Sequence, residues 1–374
     1  MKLHDAVQDH ACSALIVGGG PAGLATAMEL ARRGVAAVVV ERGAYNDIRI
    51  GEHLSPAGIL LLRALAPDSR LPLNVHSASA GVDAYWGSQT ASHMDYFFHP
   101  GQNGLNLSRP RFDADLAHAC EMAGATIIRC AHLKRALKQK RGWIVEIETE
   151  DSTALFPAAV IVDATGRSAA FSRRQGASIV AHDRQVSIIG VFDGAYAQPG
   201  TNRLIIEAVE GGWWYSALIG ASRRICMLIT DDDLLPRGGK VKLQMWWRDQ
   251  LSRTSYLTNC LQEGAASANL IVRSARSQRL DVLSGAAWLA IGDAATAFDP
   301  LTSLGIAKAL DHGKRAASAV AAYLGGEVSS LDDLAVEFSR EYADYRGMRA
   351  RYYRLEKRWS QSPFWERRHH EPCT

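Results

Sequence analysis

One stretch constrains this chain more than any other: Leu15-Ile-Val-Gly-Gly-Gly-Pro-Ala-Gly-Leu24, then a helical pattern to Gly34, an apolar run from Val35 to Val40, and Glu41. An apolar strand running straight into Gly18-x-Gly20-x-x-Gly23 lets the backbone turn sharply and come close to a pyrophosphate. Pro21 and Ala22 then open a helix whose first N–H groups point at that anion. Ala22, Ala25 and Ala27 are small enough to press the helix against a sheet. Glu41, at the end of the second strand and followed by Arg42, stands where a carboxylate reaches a ribose hydroxyl. A glycine turn by itself can be no more than a tight corner. With its strand, its helix and its acid in place, it implies a bound dinucleotide.

At 374 residues the chain exceeds one small core, so one large or two interleaved domains are expected. A net charge of +3 is too small for nucleic-acid binding through a global positive field. The six cysteines (Cys12, Cys120, Cys130, Cys226, Cys260, Cys373) form no C-x-x-C pair and no metal-ligand spacing with the histidines. No metal site is expected; buried free thiols in a reducing compartment are. The segment from Met1 to Cys12 lacks the apolar core of a secretory signal, and no run approaches the ~20 apolar residues of a membrane span. The expected location is the cytoplasm.

Further along, Ser55 caps a helix with Pro56 at its first position, and Ile59, Leu60 and Leu62 bury one side of it. Residues 66–107 lose periodicity and gather aromatics, Trp86 among them, as either the wall of an apolar pocket or a surface connection. Ser108-Arg-Pro-Arg-Phe-Asp113 opens another helix, and a β-meander follows to Pro157. Val160-Ile-Val-Asp-Ala-Thr-Gly166 and Ala286-Ala-Trp-Leu-Ala-Ile-Gly-Asp293 are buried strands ending in glycine and acid. Between them, residues 186–230 read as successive strands without helices, an antiparallel sheet of a second domain. There Trp213, Tyr215 and Ala217 share one face, which either lines a substrate pocket or packs under a helix layer. A long helix follows Gly305-Ile306, and residues 331–359 carry Tyr345, Met348, Tyr352, Leu355 and Trp359 as one stripe.

In an open α/β sheet the three strand ends, Gly18–Gly23, Asp163–Gly166 and Gly292-Asp293, line one crevice and clamp a single extended ligand. In order, the Gly20 turn, Glu41, Arg109-x-x-Phe-Asp113, Asp163-Ala-Thr-Gly166 and Gly292-Asp293-Ala-Ala-x-x-x-Asp299-Pro300 resemble the FAD-binding elements of glutathione-reductase-like flavoprotein hydroxylases and flavin-dependent halogenases. The resemblance implies an α/β fold, α+β overall: a Rossmann-like FAD-binding domain (1–75, 105–175 and 281–325), an inserted antiparallel-sheet substrate domain (76–104 and 176–280) and a C-terminal helical segment (326–374). It implies that Glu41 binds the adenosine ribose and Asp293 a ribityl hydroxyl. It also implies that the helix after Gly305 aims its N-terminus at the flavin pyrimidine, where reduced flavin is negative.

Gly51-Glu-His-Leu-Ser-Pro56 and Asp299-Pro-Leu-Thr-Ser-Leu-Gly305 look closer to the halogenase branch. That branch, however, uses a lysine between these blocks, and this chain has none between Lys2 and Lys134. Its Trp-x-Trp-x-Ile-Pro signature is missing as well. With Tyr352, Tyr353, Glu356, Trp359 and Phe364-Trp-Glu-Arg-Arg368, the chain is similar over nearly its whole length to the flavoproteins that mature tryptophylquinone cofactors. That similarity implies a monooxygenase hydroxylating an indole ring, through a flavin C4a-hydroperoxide formed from O₂, on a tryptophan of a partner protein, a quinoprotein precursor. Glu52 and His53 are the candidates for protonating the leaving oxygen or orienting the indole. Trp213, Tyr215 and Trp86 are the candidate pocket aromatics. No second Gly-x-Gly-x-x-Gly occurs, so the reductant, whether NAD(P)H or a flavin-reducing partner, stays open. A small-molecule aromatic hydroxylase, a flavoprotein oxidase and a non-catalytic scaffold remain alternatives. From Arg340 to Arg368, nine Lys or Arg stand against four acids, as either a solvated face or a docking surface centred on Arg351, Arg354 and Arg358.

Overall fold

The computed structural model describes residues 12–47, 49, 51–67, 71–100, 103–193, 202–220, 222–261 and 269–371; the N-terminal segment read above, Ile50 and Cys373 lie outside the described residues. Cys12–Val17 is almost entirely apolar and buried on both faces, so it takes a central place in a mostly parallel sheet. Ala37–Val40 and Thr153–Asp163 flank it, and Thr126–Ile128 and Trp288–Ala290 extend the sheet outward. In register, Val17 lies opposite both Val40 and Asp163, and Asp163 opposite Ala290. The chain therefore leaves the sheet at Gly18, Glu41, Ala164 and Ile291 side by side along one edge.

Ala131–Lys138 and Trp143–Thr149 add an antiparallel meander to the early half of the long strand Thr153–Asp163. A second sheet has the order Ile271–Ser274, Gln185–Asp193, Arg223–Asp231, Gly212–Ile219, Leu204–Val209, Gly81–Tyr85, Ser92–Asp95. Two of its strands come from the aperiodic stretch, which also supplies Ser77–Ser79 and Gly104–Asn106 to a small sheet with His53–Leu54. Both faces of the seven-stranded sheet are covered. Trp213, Tyr215 and Ala217 meet Tyr353, Phe364 and Trp365, while Trp214 and Leu218 meet Trp247 and Leu251 of the Gly239–Ser252 helix.

Ser55 caps the Pro56–Leu65 helix as expected, accepting a hydrogen bond from the Gly58 N–H at 3.3 Å, but Leu60 faces solvent rather than joining Ile59 and Leu62. The C-terminal stripe is also revised. The Ser330–Leu355 helix buries Tyr342, Tyr345, Arg349 and Tyr353, and it leaves Tyr352 and Leu355 more than half exposed. A face carried by an arginine and tyrosine hydroxyls is invisible to apolar periodicity.

Much of the basic run is engaged within the chain, although Arg340, Arg351 and Lys357 are exposed. Arg349 pairs with Asp299, Asp183 and Glu371, Arg346 with Glu371, and Arg367 and Arg368 with Asp231. Arg354 donates to the carbonyls of His369 and Glu371, and Arg358 pairs with Glu356 and stacks on Trp359. Of the thiols, Cys12, Cys120 and Cys226 are buried, whereas Cys130 is exposed, against the expectation. Among the described residues no helix is long and apolar enough to cross a membrane.

Candidate active site

A cleft of about 1200 Å³ opens where the parallel strands end. It is lined by Gly18, Gly20, Pro21, Ala22, Glu41, Arg42, Arg109, Gly166, Asp293, Pro300, Gly305 and Ile306, and from the second sheet by Tyr215 and Met227. Small-molecule pockets run to roughly 1,000 Å³. This one has room for an extended cofactor and part of a second ligand.

The three glycines of the turn divide the work. A Cβ on Gly18 would lie 2.3 Å from the Ala164 carbonyl oxygen, and one on Gly23 2.0 Å from that of Gly18, so both are bare because protein backbone crowds them. A Cβ on Gly20 would meet nothing within 4 Å, although Gly20 lines the cleft. The space beside it belongs to something other than this chain. The Pro21–Arg32 helix that starts there has no side-chain cap, which leaves its first N–H groups for an anion.

Glu41 is buried and braces the turn: it accepts hydrogen bonds from the Gly19 N–H at 2.6 Å and the Gly43 N–H at 3.0 Å, and it pairs with Arg49 at 2.8 Å. A carboxylate offers about four acceptor sites. One is left for a ribose hydroxyl. Arg109 holds Asp113 through Nε at 3.2 Å and a terminal nitrogen at 3.1 Å, and it donates to the Gly51 carbonyl at 3.2 Å, tying the helix opening to the segment that carries Glu52. Arg49, which bridges Glu41 and Asp113, carries no sequence signal.

Two expected contacts are revised. Asp163 is fully buried, and its carboxylate accepts from the Thr165 N–H and hydroxyl and from the Ser172 N–H and hydroxyl, at 2.7–3.0 Å. With four donors it has nothing left for a ligand. It shapes the loop that presents Gly166 to the cleft. Gly292 is likewise buried; a Cβ there would sit 2.9 Å from that of Ala22, and its N–H donates to His312 Nδ1 at 3.2 Å. Its neighbour Asp293 does face the cleft, with Lys308 at 3.0 Å and Arg167 at 3.7 Å. Burial pushes its carboxyl up, but these two cations outweigh burial and hold it below its usual range.

At the other end, His53 lines the cleft with both ring nitrogens engaged, 3.0 Å from Asn106 Oδ1 and 3.0 Å from the Tyr96 hydroxyl. The Asn106 oxygen assigns the proton to Nδ1, so Nε2 accepts from Tyr96. Burial lowers the imidazole's pKa, which keeps it neutral. The expected proton donor is a fixed part of the wall. Glu52 is the opposite case: it is 1% exposed and neither carboxyl oxygen has a hydrogen-bond partner. Burial, only partly opposed by Arg109, raises it to about 7. Tyr215, which feels the Glu52 charge, is buried and held well above its usual range, first by desolvation.

Trp213 and Trp86 do not line the cleft. The Trp213 indole donates to the Tyr353 hydroxyl at 2.9 Å, and Trp86 donates to the Tyr352 carbonyl at 2.8 Å while its ring packs on Trp213, Tyr353 and Trp365. Their stripe packs under the C-terminal segment, and of the three expected pocket aromatics only Tyr215 reaches the cleft. The uncapped helix start, the open space at Gly20 and Gly166, and the spare acceptor on Glu41 suit FAD.

The family model for the FAD binding domain matches residues 11–333. LodB of Marinomonas mediterranea, named as an FAD-dependent oxidoreductase, is 30% identical over 368 residues, covering 95% of this chain and 96% of that protein. The flavin-dependent halogenase gsfI of Penicillium aethiopicum is 25% identical over 355 residues, 86% of this chain and 66% of its own. Among solved structures, the flavin-dependent halogenase CmlS superposes with a TM-score of 0.85 at 20% identity, covering 95% of this chain and 67% of its own. QhpG, a peptidyl tryptophan dihydroxylase essential for tryptophylquinone cofactor biogenesis, does so with 0.75 at 24%, covering 97% and 80%. The chain belongs to the FAD-binding-domain family and is a FAD-dependent oxidoreductase of the monooxygenase and halogenase type.

Proposed function

We propose that this flavoprotein hydroxylates an indole ring, that of a tryptophan side chain in a partner protein, during maturation of a tryptophylquinone. The observation that carries the reading is Glu52: a buried carboxyl without a partner, on the segment between the cleft-lining Gly51 and His53 and electrostatically coupled to Tyr215. An indole N–H is a donor only, so it complements an acceptor that lacks a donor. The full-length similarity to LodB and the fold shared with QhpG support the same reading.

Bound FAD supplies the activation of O₂ and the two-electron chemistry. One oxygen atom enters a ring C–H bond and the other leaves as water, with two electrons and two protons consumed. Gly20, Pro21, Ala22 and Gly166 would take the pyrophosphate, Glu41 the ribose, with Arg42 at the mouth. Asp293, Pro300, Gly305 and Ile306 would hold the flavin end. An indole attacks through carbon without losing a proton, so no strong base is needed. Glu52, buried just behind the Gly51–His53 wall, is the acceptor proposed for the indole N–H, while Tyr215, Met227 and the His53–Tyr96 pair exclude water. The electrons come from NAD(P)H or from a flavin-reducing partner. Among the described residues the thiols are unpaired, which supports the reading of a reducing, cytoplasmic location.

Halogenation is disfavoured by the site itself: among the described residues no lysine lines the cleft. The test is intact-mass analysis of a quinoprotein precursor coexpressed with this chain. Added oxygen on the precursor tryptophan is expected. An unchanged mass, with turnover of free phenols or indoles instead, replaces the protein substrate by a small molecule.

A further inference from the structure

The Gly305–Leu324 helix begins at the cleft, with Gly305, Ile306 and Ala309 lining it. In its first turn stands Lys308, 6% exposed. That placement breaks two rules at once. A cation is unfavourable at the positive end of a helix, and a buried ammonium is costly without close partners. Its partners are Asp293 Oδ1 at 3.0 Å, the Thr296 carbonyl, and the Phe298 ring with its centroid 4.2 Å away. Asp293 is shared with Arg167, which is held in turn by the carbonyls of Phe298 and Arg276. Of the groups beyond these, Glu341 meets His312 at 3.2 Å and Arg315 at 3.1 Å, and burial lowers the pKa of the His312 imidazole. Of the two carboxylates at this end of the cleft, Asp299 is neutralised by Arg349 at 2.9 Å, so Asp293 alone stands against Lys308, Arg167 and a helix N-terminus, and Arg167 itself lines the cleft.

We propose that Lys308 is a positioning residue for Asp293: it fixes the carboxylate in the orientation that meets the cofactor and leaves this end of the cleft net positive, so that the protein binds reduced, anionic flavin more tightly than oxidised flavin. The proposal rests on the placement of Asp293 against FAD proposed above. Lys308 is short of the cleft surface and acts through Asp293 and through its charge, not by touching substrate.

The test is potentiometry on the purified holoprotein and on Lys308→Met, which keeps the length of the side chain and removes the charge. Lys308→Met should weaken the binding of reduced FAD at least tenfold more than that of oxidised FAD, which lowers the two-electron potential by about 30 mV or more. Lys308→Arg should keep the unmodified potential. A Lys308→Met potential equal to the unmodified one overturns the proposal. Should Lys308→Met fail to fold, Lys308→Gln, which also removes the charge, takes its place in the same measurement; the pH slope of the unmodified protein tests the anionic form separately. Formation of anionic reduced flavin takes up one proton per two electrons, so the potential should fall by about 30 mV per pH unit between pH 6 and 8; twice that slope overturns the proposal. Asp293→Asn separates the two readings. If it changes neither FAD affinity nor potential, the placement of Asp293 fails and this proposal with it; if it changes both and Lys308→Met changes neither, only Lys308 is wrong.

Discussion

Gly20 and Glu52 are single residues whose surroundings make opposite demands. Because nothing in the protein lies within 4 Å of a Gly20 Cβ, Gly20→Val should fold with little loss of stability and yet lose FAD, its methyls standing where the pyrophosphate approaches. The check is flavin absorbance after purification beside a thermal melt; a yellow Gly20→Val protein with full occupancy rejects the assignment of the turn. Glu52 makes a statement about pH. Its folded-state value of about 7 lies above the ordinary 4.5, so the native protein binds more protons than the unfolded chain between those limits, and stability falls as pH rises through that window. The loss amounts to about 3 kcal/mol, complete above about pH 7. Glu52→Gln should remove it, so the gap in urea stability between variant and parent should widen from pH 4.5 to pH 8; parallel pH profiles would show that Glu52 is not desolvated.

At the scale of elements, the C-terminal helix holds the cleft loop to the second sheet. Asp299 lines the cleft and accepts from Arg349 Nε at 2.9 Å and from the Tyr353 hydroxyl at 2.7 Å. The same hydroxyl accepts from Trp213 at 2.9 Å and from Gln185 at 2.7 Å. Tyr353→Phe leaves two buried donors without their acceptor, at about 1–3 kcal/mol each. Arg349→Met strips a buried ion network of its cation and should cost about 3–5 kcal/mol. Urea denaturation measures both. Since the strut ends on the Asp299-Pro300 loop, FAD affinity should fall in both variants, and a destabilised variant with unaltered affinity would separate the strut from the site.

For the molecule as a whole, the function proposed above is oxygen transfer and not halide transfer. Neither free tryptophan nor indole should gain chlorine or bromine, even with a flavin reductase supplied, and mass spectrometry of the products decides it. The C-terminal basic run, in turn, should not behave as a salt-sensitive docking face. Arg354 and Arg358 are engaged within the chain, so reversing them to Glu should lower stability before it affects any partner. Loss of partner oxygenation with unchanged stability would restore the docking reading.

The chain order of glycine turn, Glu41, Arg109, Asp163 and Gly292-Asp293 was enough to foresee that these segments gather along one cleft. These features are local: a tight turn, a helix start and a buried strand end each demand particular residues within a few positions of one another, and parallel pairing then brings them to one edge. What each carboxylate does there was not legible. Asp163 and Asp293 look alike in sequence, both at strand ends within three residues of a glycine, yet Asp163 is saturated by Thr165 and Ser172 while Asp293 stays open to the cleft. Nor could the chain alone show that Trp213 lies under Tyr353, 140 positions away, or that Lys308 is buried beside Asp293. Burial, saturation of hydrogen bonds and the balance of charge depend on what distant segments place around a group, and only the tertiary structure decides them.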